Sequence, residues 1–188
     1  MIKIGITGSI ASGKSSVAKL ISKRRYLIFN ADKAVATLYK KKYFIKKVKN
    51  KFNIKETKNI KKKIKNILNK NRKKLKELEH IIHPLVRKEM NFLIKTKKKQ
   101  KILIFDIPLL IENKLMKNFD IIVFVGAKRS LRLRRYLKKG GDKKIFTILD
   151  KRQMSPMKKI KISDYVIYNN SSLKMLKKKT NIFMKKYE

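Results

Sequence analysis

The feature that most constrains the fold is the glycine-rich segment GSIASGKS at residues 8–15. An apolar, β-branched run (IKIGIT, residues 2–7) precedes it, and apolar residues at helical spacing follow it. The segment matches G-x-x-x-x-G-K-[ST] at each fixed position, and a strand before and a helix after are the context that this pattern requires. The alternative is a chance Gly/Ser-rich turn, which the flanks disfavour. The sequence therefore predicts an α/β protein with a phosphate-binding loop near its N-terminus.

The chemistry of this loop explains its spacing. Glycines let consecutive backbone N–H groups point at phosphate oxygens, and the following helix adds its positive N-terminal end. In this pattern the lysine, here Lys14, reaches the β- and γ-phosphates, and the hydroxyl of Ser15 is offered to Mg²⁺. The segment predicts binding of a nucleoside triphosphate with Mg²⁺ but does not identify the phosphate acceptor. The residues expected to contact the triphosphate are Gly8, Ala11, Ser12, Gly13, Lys14, Ser15 and Ser16.

The rest of the chain alternates strand and helix signals. Further short apolar segments predict strands at 26–29, 101–105, 120–125 and 164–168, and helical spacing predicts helices at 130–138, from 143 to Met154 and at 171–187. Alternation of this kind favours a parallel sheet covered on both faces. The expected fold is therefore a five-stranded parallel sheet flanked by helices.

A helical insert interrupts this alternation. Residues 33–99 contain no glycine and almost no strand signal, while apolar residues recur at helical spacing. Breaks are expected near Asn53 and at His83-Pro84. We therefore divide the chain into a core at 1–32 and 101–188 and an insert at 33–100.

Charge and composition exclude several classes. The net charge of +42 comes almost entirely from lysine, which is spread along the chain together with many isoleucines and asparagines. A coding bias toward A and T explains the joint excess of lysine, isoleucine and asparagine better than a specific nucleic-acid partner does. Weak binding of polyanions is expected in either case. The absence of cysteine excludes disulfides and thiolate chemistry. We expect a cytoplasmic protein without a membrane partner, since there is no signal-like N-terminus and no apolar run of about 18 residues.

Two aspartates follow predicted strands and are candidates for acceptor chemistry. Asp32 comes just after the second strand and Asp106 ends the third. Ligands of doubly wound sheets bind at the C-terminal ends of strands, so both are expected near the phosphate loop. One carboxylate could take the proton of an attacking hydroxyl while the other helps to hold Mg²⁺. The alternatives are an N-cap role for Asp32 and a turn role for Asp106.

The chain resembles the dephospho-coenzyme A kinase family. The resemblance is carried by ITGSIASGKSS, NAD ending at Asp32, LEHIIHPLVR (78–87), DIPLLIE (106–112) and RQMSPMKKIKISDYVIYN (152–169), in this order and spacing. It implies a P-loop NTPase fold with a helical substrate-binding insert and a mobile lid near 135–145. It also implies transfer of the ATP γ-phosphate to the ribose 3′-hydroxyl of dephospho-coenzyme A, with Mg²⁺.

The resemblance also implies site residues. Catalysis is expected from Lys14, Asp32 and Arg135, and metal binding from Ser15 and Asp106. Lid contacts to ATP are expected from Arg135 and Lys139. The acceptor is expected to contact Asp32, His83, Pro84, Asp106, Pro108, Leu109, Leu110 and Glu112.

The sequence departs from the family pattern in the lid. The second lid arginine is replaced by Lys139, which keeps the charge but loses the bidentate fork, and Arg132 or Arg134 is a candidate replacement. Two other functions stay open at this point. One is another small-molecule or nucleotide kinase, and the other is a basic nucleic-acid-associated NTPase. Neither explains the segments HPL (83–85) and DIPLLIE.

Overall fold

The computed structural model describes residues 1–71 and 73–187. Its strands are β1 (Ile2–Gly8), β2 (Leu27–Asn30), β3 (Ile102–Asp106), β4 (Ile121–Gly126) and β5 (Tyr165–Tyr168). They form one five-stranded sheet in the order β2-β3-β1-β4-β5. Each neighbouring pair is parallel. The predicted five-stranded parallel sheet is confirmed.

The helices of the described residues occur between and after these strands along the chain. They are α1 (Lys14–Ser22), α2 (Ala31–Leu38), α3 (Lys42–Phe52), α4 (Ile60–Lys70), α5 (Lys74–Thr96), α6 (Arg129–Lys138), α7 (Lys143–Arg152), α8 (Pro156–Ile162) and α9 (Leu173–Met184). The sequence did not lead us to expect α8, although Ser155 as N-cap and Pro156 at the first helical position are typical of a helix start. None of the described helices is long and apolar enough to cross a membrane.

The chain divides into two compact units. The first contains Met1–Asn30 and the chain from Lys98 onward, and the second is Ala31–Lys97. The core of the first unit lies where the sheet packs against α1 and α9, through buried residues such as Ile6, Val17 and Phe183. The core of the second unit joins α2 to α3, α4 and α5, around Leu38, Phe44 and Leu78. Each unit therefore has a hydrophobic core of its own.

The break predicted at His83-Pro84 is wrong. Helix α5 runs through Pro84 without interruption. Proline inside a helix removes one backbone hydrogen bond and usually costs about 3 kcal/mol. Burial offsets that cost here, because Leu78 and Ile81 before the proline are core residues and Leu85 after it packs against the same core. The apolar stripe keeps its helical phase across Pro84, and that phase is the signal that the prediction undervalued.

The N-cap interpretation of Asp32 is also wrong in detail. Helix α2 begins at Ala31, so Asp32 lies inside the first turn rather than before it. A carboxylate in the first turn still interacts favourably with the positive end of the helix dipole. The side chain is therefore not needed to define where the helix starts.

The order of the strands determines where a ligand binds in the first unit. β1 is central, with β3 on one side and β4 on the other. The chain runs from β1 toward the edge of the sheet where β2 lies, and from β3 toward the other edge, where β4 and β5 lie. Open α/β sheets bind ligands at such a switch point. The phosphate-loop segment follows β1 directly.

The two adjacent glycines after α6 have a structural role. The N–H of Gly140 donates to the carbonyl of Leu137, and the N–H of Gly141 donates to the carbonyl of Tyr136. Gly140 has φ +78°. This is a Schellman motif, which ends a helix with a left-handed residue. A Cβ on Gly141 would lie 2.2 Å from the Tyr136 ring, so close packing explains the second glycine.

We predict that Gly140→Ala lowers the free energy of unfolding by about 1 kcal/mol, because an L side chain is strained at positive φ. No atom lies within 4 Å of a Cβ built at this position, so steric collision adds nothing. Urea unfolding would measure the change. Gly140→Asn is the control, since asparagine tolerates this conformation better. Equal stability of wild type and Gly140→Ala would contradict the prediction.

Candidate active site

The phosphate loop (residues 8–15) links the end of β1 to the start of α1. Gly13 has φ +99°, and a Cβ there would lie 2.3 Å from Nδ2 of Asn169. Both observations disfavour a residue with a side chain at position 13. Ala11 also adopts a left-handed conformation, with φ 56°. Because α1 begins at Lys14, the N–H groups of its first turn face the loop, as a phosphate site requires.

The side chain of Lys14 lies along the phosphate loop. Its Nζ donates to the carbonyl oxygens of Ser9 at 3.1 Å and Gly8 at 3.3 Å. The ammonium group, which carries three donors, is thereby held at the phosphate loop. This geometry agrees with the position that the motif requires of its lysine.

Asp106 lies at the end of β3, next to the phosphate loop. Its Oδ2 accepts from Ser15 Oγ at 2.6 Å and from Asn30 Nδ2 at 2.9 Å. The residue is 2% exposed, and Oδ1 is buried without a hydrogen-bond partner. Asp106 is the last residue of a buried strand, so the turn interpretation is wrong.

The oxygen atoms of Ser15 and Asp106 fit a hard divalent cation. Hydroxyl and carboxylate oxygens are the donors that Mg²⁺ prefers, and the unpartnered Oδ1 of Asp106 supplies a free lone pair. Within the described residues, no cluster of three or more His, Asp or Glu side chains could hold a metal ion. The donor set is therefore of the kind that holds Mg²⁺ through few protein groups together with substrate phosphates.

A cleft of about 290 Å³ lies beside the phosphate loop. Arg135 lies at this cleft, where its guanidinium donates to the carbonyls of Asn169 at 3.0 Å and Ser12 at 3.4 Å. The side chain of Asn169 also donates to the carbonyl of Ser12, at 2.9 Å. The cleft is lined by Ala11, Gly13, Ser16, Arg135, Lys139, Asn169, Ser171, Leu173 and Leu176. Five of these were predicted to contact the nucleotide, namely Ala11, Gly13, Ser16, Arg135 and Lys139.

The internal contacts of Arg132 argue against the lid role for which it is a candidate. Its side chain is 5% exposed and forms an ion pair with Asp150 at 2.6 Å. The same guanidinium also donates to the carbonyls of Ala127 and Ile10. These contacts occupy its donors inside the protein. Arg134 is exposed.

The connection from β3 to β4 (residues 107–120) carries the predicted acceptor segment. Glu112 accepts from the backbone N–H of Met154 at 3.1 Å and forms an ion pair with Lys159 at 2.6 Å. Pro108 accepts at its carbonyl from Thr7 Oγ1, at 3.1 Å, and like Leu109 it is partly exposed. Leu110 is fully buried and packs against β1 at Gly5, so its side chain supports the loop rather than contacting a substrate as expected.

Three predicted residues belong to the second unit. Asp32 lies in the first turn of α2, and His83 and Pro84 lie in the middle of α5. Burial lowers the pKa of His83, and the positive charge of Arg87 lowers it further, although Glu79 opposes the shift. His83 is therefore neutral near pH 7, and its ring offers one donor and one acceptor.

Sequence reasoning missed several residues of the first unit. Asn30 and Asn169 contact Asp106 and the phosphate loop, and Gln153 Oε1 accepts from the N–H of Ile10 at 2.8 Å. Asn30 and Asn169 each come directly at the end of a strand, which is the signal that could have identified them. Gln153 and Lys159 carry no such local signal.

The strand order, the phosphate loop with Lys14 and the Ser15–Asp106 pair together define a P-loop kinase. A model of the dephospho-CoA kinase family matches residues 2–175. The chain belongs to the dephospho-CoA kinase family and is an ATP-dependent kinase.

A curated relative agrees with this assignment, and solved structures share the fold. The chain is 37% identical to a dephospho-CoA kinase of Fusobacterium nucleatum, over 96% of this chain and 95% of that protein. A crystal structure from Thermus thermophilus superposes with a TM-score of 0.85 at 25% identity, covering 100% of this chain and 98% of that one. The dephospho-CoA kinase from Campylobacter jejuni has the same fold, with a TM-score of 0.71 at 21% identity over 98% of this chain and 96% of that one.

Proposed function

We propose that the chain transfers the γ-phosphate of ATP to the ribose 3′-hydroxyl of dephospho-CoA, giving CoA and ADP. The observation that carries the proposal is the Ser15–Asp106 hydrogen bond of 2.6 Å, which joins the phosphate loop to the strand that leads into DIPLLIE. This contact combines a triphosphate site with a carboxylate at the end of the neighbouring strand. Membership of the family supplies the acceptor.

On the nucleotide side, we assign the triphosphate to the phosphate loop. Its N–H groups and Lys14 neutralise the charge that develops on the transferred group. Arg135 lies against the same loop through its contact with Ser12, so a cation also borders the cleft. We assign the cleft of about 290 Å³ to the nucleoside part of ATP, with Lys139 at its edge.

We assign a Mg²⁺ site to Ser15 and Asp106. Ser15 would bind the ion through its hydroxyl, and Asp106 would hold it directly or through water. When bound there, Mg²⁺ would neutralise negative charge on the phosphates. Asn30 keeps Asp106 oriented through its hydrogen bond to Oδ2.

On the acceptor side, we assign the proton transfer to Asp32. A carboxylate that accepts the proton of the 3′-hydroxyl, or aligns that hydroxyl, contributes to the rate. Neutral His83 and the partly exposed Pro108, Leu109 and Glu112 are assigned to acceptor binding. The helical unit Ala31–Lys97 is thereby proposed to bind the acceptor, and residues 135–145 to act as a lid.

The test of the proposal is ADP release with alternative acceptors. Dephospho-CoA should support rapid ADP release, whereas nucleoside monophosphates and RNA should leave only the background rate. Mass spectrometry of the product should place the new phosphate on the 3′-hydroxyl. Faster turnover with a nucleoside monophosphate, or ATP hydrolysis stimulated by RNA, would overturn the assignment.

Asp106→Asn should raise the Mg²⁺ concentration required for half-maximal activity by about 10–100-fold, the usual effect of losing a group that orients or holds a metal. Asparagine retains the shape and one acceptor oxygen but removes the negative charge. The measurement is initial rate against Mg²⁺ at saturating ATP and acceptor. Asp120→Asn is the matched control, since Asp120 pairs with Lys3 at the surface. An unchanged Mg²⁺ dependence would remove Asp106 from the metal site.

A further inference from the structure

We infer that residues 153–159, here called the brace, set the separation between the phosphate loop and the β3–β4 connection. Gln153 and Lys159 are positioning residues for phosphoryl transfer, because each holds a group on one of these two segments. The inference rests on the proposed function, since it gives the two segments the donor and the acceptor. Gln153 and Lys159 do not contact either substrate in this assignment. They act through Ile10 and Glu112.

The first contact of the brace is to the phosphate loop. The peptide groups on both sides of Ile10 are held by side chains, since Gln153 Oε1 accepts from its N–H at 2.8 Å and Arg132 donates to its carbonyl at 3.4 Å. The N–H of Ile10 is therefore turned toward Gln153. This contact orients the loop, because its other N–H groups point at phosphate only when its peptide planes are kept in register.

Gln153 is itself held in place by the packing of α6 against α7. It is the C-cap residue of α7. Asp150, on the same helix, pairs with the buried Arg132 of α6 at 2.6 Å. The ring of Phe146 is fully buried and lies against the same guanidinium. The acceptor oxygen that contacts Ile10 is thus attached to the C-terminal end of α7, which the Arg132–Asp150 ion pair joins to α6.

The second contact of the brace is to the β3–β4 connection. Met154, the next residue after Gln153, donates its N–H to Glu112 at 3.1 Å. Lys159 reaches the same carboxylate oxygen at 2.6 Å. Lys159 is 0% exposed and Glu112 is 17% exposed, so this ion pair is almost completely removed from water. A lysine is rarely buried in this way unless a partner requires it.

The hydrogen bonds to Ile10 and to Glu112 come from adjacent residues, Gln153 and Met154, and Lys159 of α8 adds the ion pair to Glu112. Consecutive Cα atoms are about 3.8 Å apart, so a single peptide connects the residue that holds Ile10 to one that holds Glu112. Phosphoryl transfer requires donor and acceptor atoms at a separation of about 3–3.5 Å, and an error of about 1 Å can reduce the rate by 10²-fold. Loss of either contact should therefore misplace one substrate and not the other.

Gln153→Met tests the contact to the phosphate loop. Methionine has a similar length but lacks the acceptor oxygen, and we expect the Kd and KM for ATP to rise about fivefold to tenfold, as for loss of one hydrogen bond. The KM for dephospho-CoA should stay within about twofold of wild type. Gln100→Met is the matched control. Gln100 is half-buried and lies just before β3, at the end of that strand away from Asp106. A purely structural role would lower Tm and leave the Kd for ATP unchanged, which would overturn the inference.

Lys159→Met tests the contact to the β3–β4 connection. We expect the KM for dephospho-CoA to rise by about tenfold or more while the Kd for ATP is preserved, because a mispositioned binding segment weakens only its own substrate. Lys158→Met is the matched control, because Lys158 is exposed on the same helix. If Lys159→Met does not fold, Lys159→Gln keeps a donor for Glu112 and is expected to raise the KM for dephospho-CoA by a smaller factor, again with the Kd for ATP preserved. Equal changes for both substrates, or no change in either, would overturn the inference.

Two measurements distinguish failure of the brace from failure of the proposed function. ATP binding to wild type and Gln153→Met is measured without any acceptor, for example by calorimetry. If wild type fails to phosphorylate dephospho-CoA, the proposed function is wrong whatever these titrations show. If wild type is active but Gln153→Met binds ATP as tightly as wild type, the brace is wrong and the function stands.

Discussion

Lys14→Ala is expected to reduce phosphoryl transfer by at least about 10³-fold, because it removes the cation that stabilises charge on the transferred phosphate. The Nζ of Lys14 lies against the carbonyl oxygens of Gly8 and Ser9, so the truncation removes positive charge from the centre of the phosphate loop. The fold should be retained. Lys14 is the first residue of α1, and alanine has the highest helix propensity.

The measurement is turnover with ATP and dephospho-CoA, together with Tm and circular dichroism. Lys19→Ala is the matched control, since Lys19 is an exposed lysine on the same helix. That variant should keep normal turnover. A folded Lys14→Ala protein with turnover within tenfold of wild type would mean that the phosphate loop is not the site of transfer.

Asp32→Asn should lower kcat by about 10²–10⁴-fold, the usual contribution of a general base, while ATP affinity changes little. Asparagine retains the shape and one acceptor oxygen but cannot accept the proton of the 3′-hydroxyl. Asp32 lies in the first turn of α2, so the substitution also weakens an interaction with the helix dipole worth about 0.3–1 kcal/mol. The effect of the substitution on folding is read from Tm.

Turnover, ATP affinity and Tm of Asp32→Asn should be measured together. Asp120→Asn again provides a control for the same substitution at a surface position. If Asp32→Asn keeps most of its activity, the aspartate serves the helix and is not catalytic. A loss of activity that follows Tm would equally exclude the catalytic role.

The contact between Ser15 and Asp106 shows how far sequence reasoning extends. Each residue was predicted separately, Ser15 from its motif and Asp106 from its place after a strand. Their hydrogen bond depends on β3 pairing with β1, a contact between residues that are 91 positions apart. The general rule that ligands bind at strand ends predicts Ser15 and Asp106 near one crevice. It does not predict that Asn30 also donates to Asp106.

The arginines of α6 show where the sequence was insufficient. A basic helix predicts a solvated face, yet Arg132 is buried and paired with Asp150 of α7. Nothing in the local pattern distinguishes Arg132 from Arg134, because both occur in the same run of alternating arginines. The distinction arises only when α7 packs against α6 and excludes water from one of them.

The sequence by itself determined the strand–loop–helix unit of the phosphate loop, the alternation of strands and helices, and the family. These follow from local chemistry, since glycine spacing and apolar periodicity act over a few residues. Only the tertiary structure decided the strand order, the continuation of α5 through Pro84 and the burial of Lys159 against Glu112. Each of these depends on burial shared between distant segments. That burial outweighs local preferences such as the tendency of proline to end a helix or of lysine to face water.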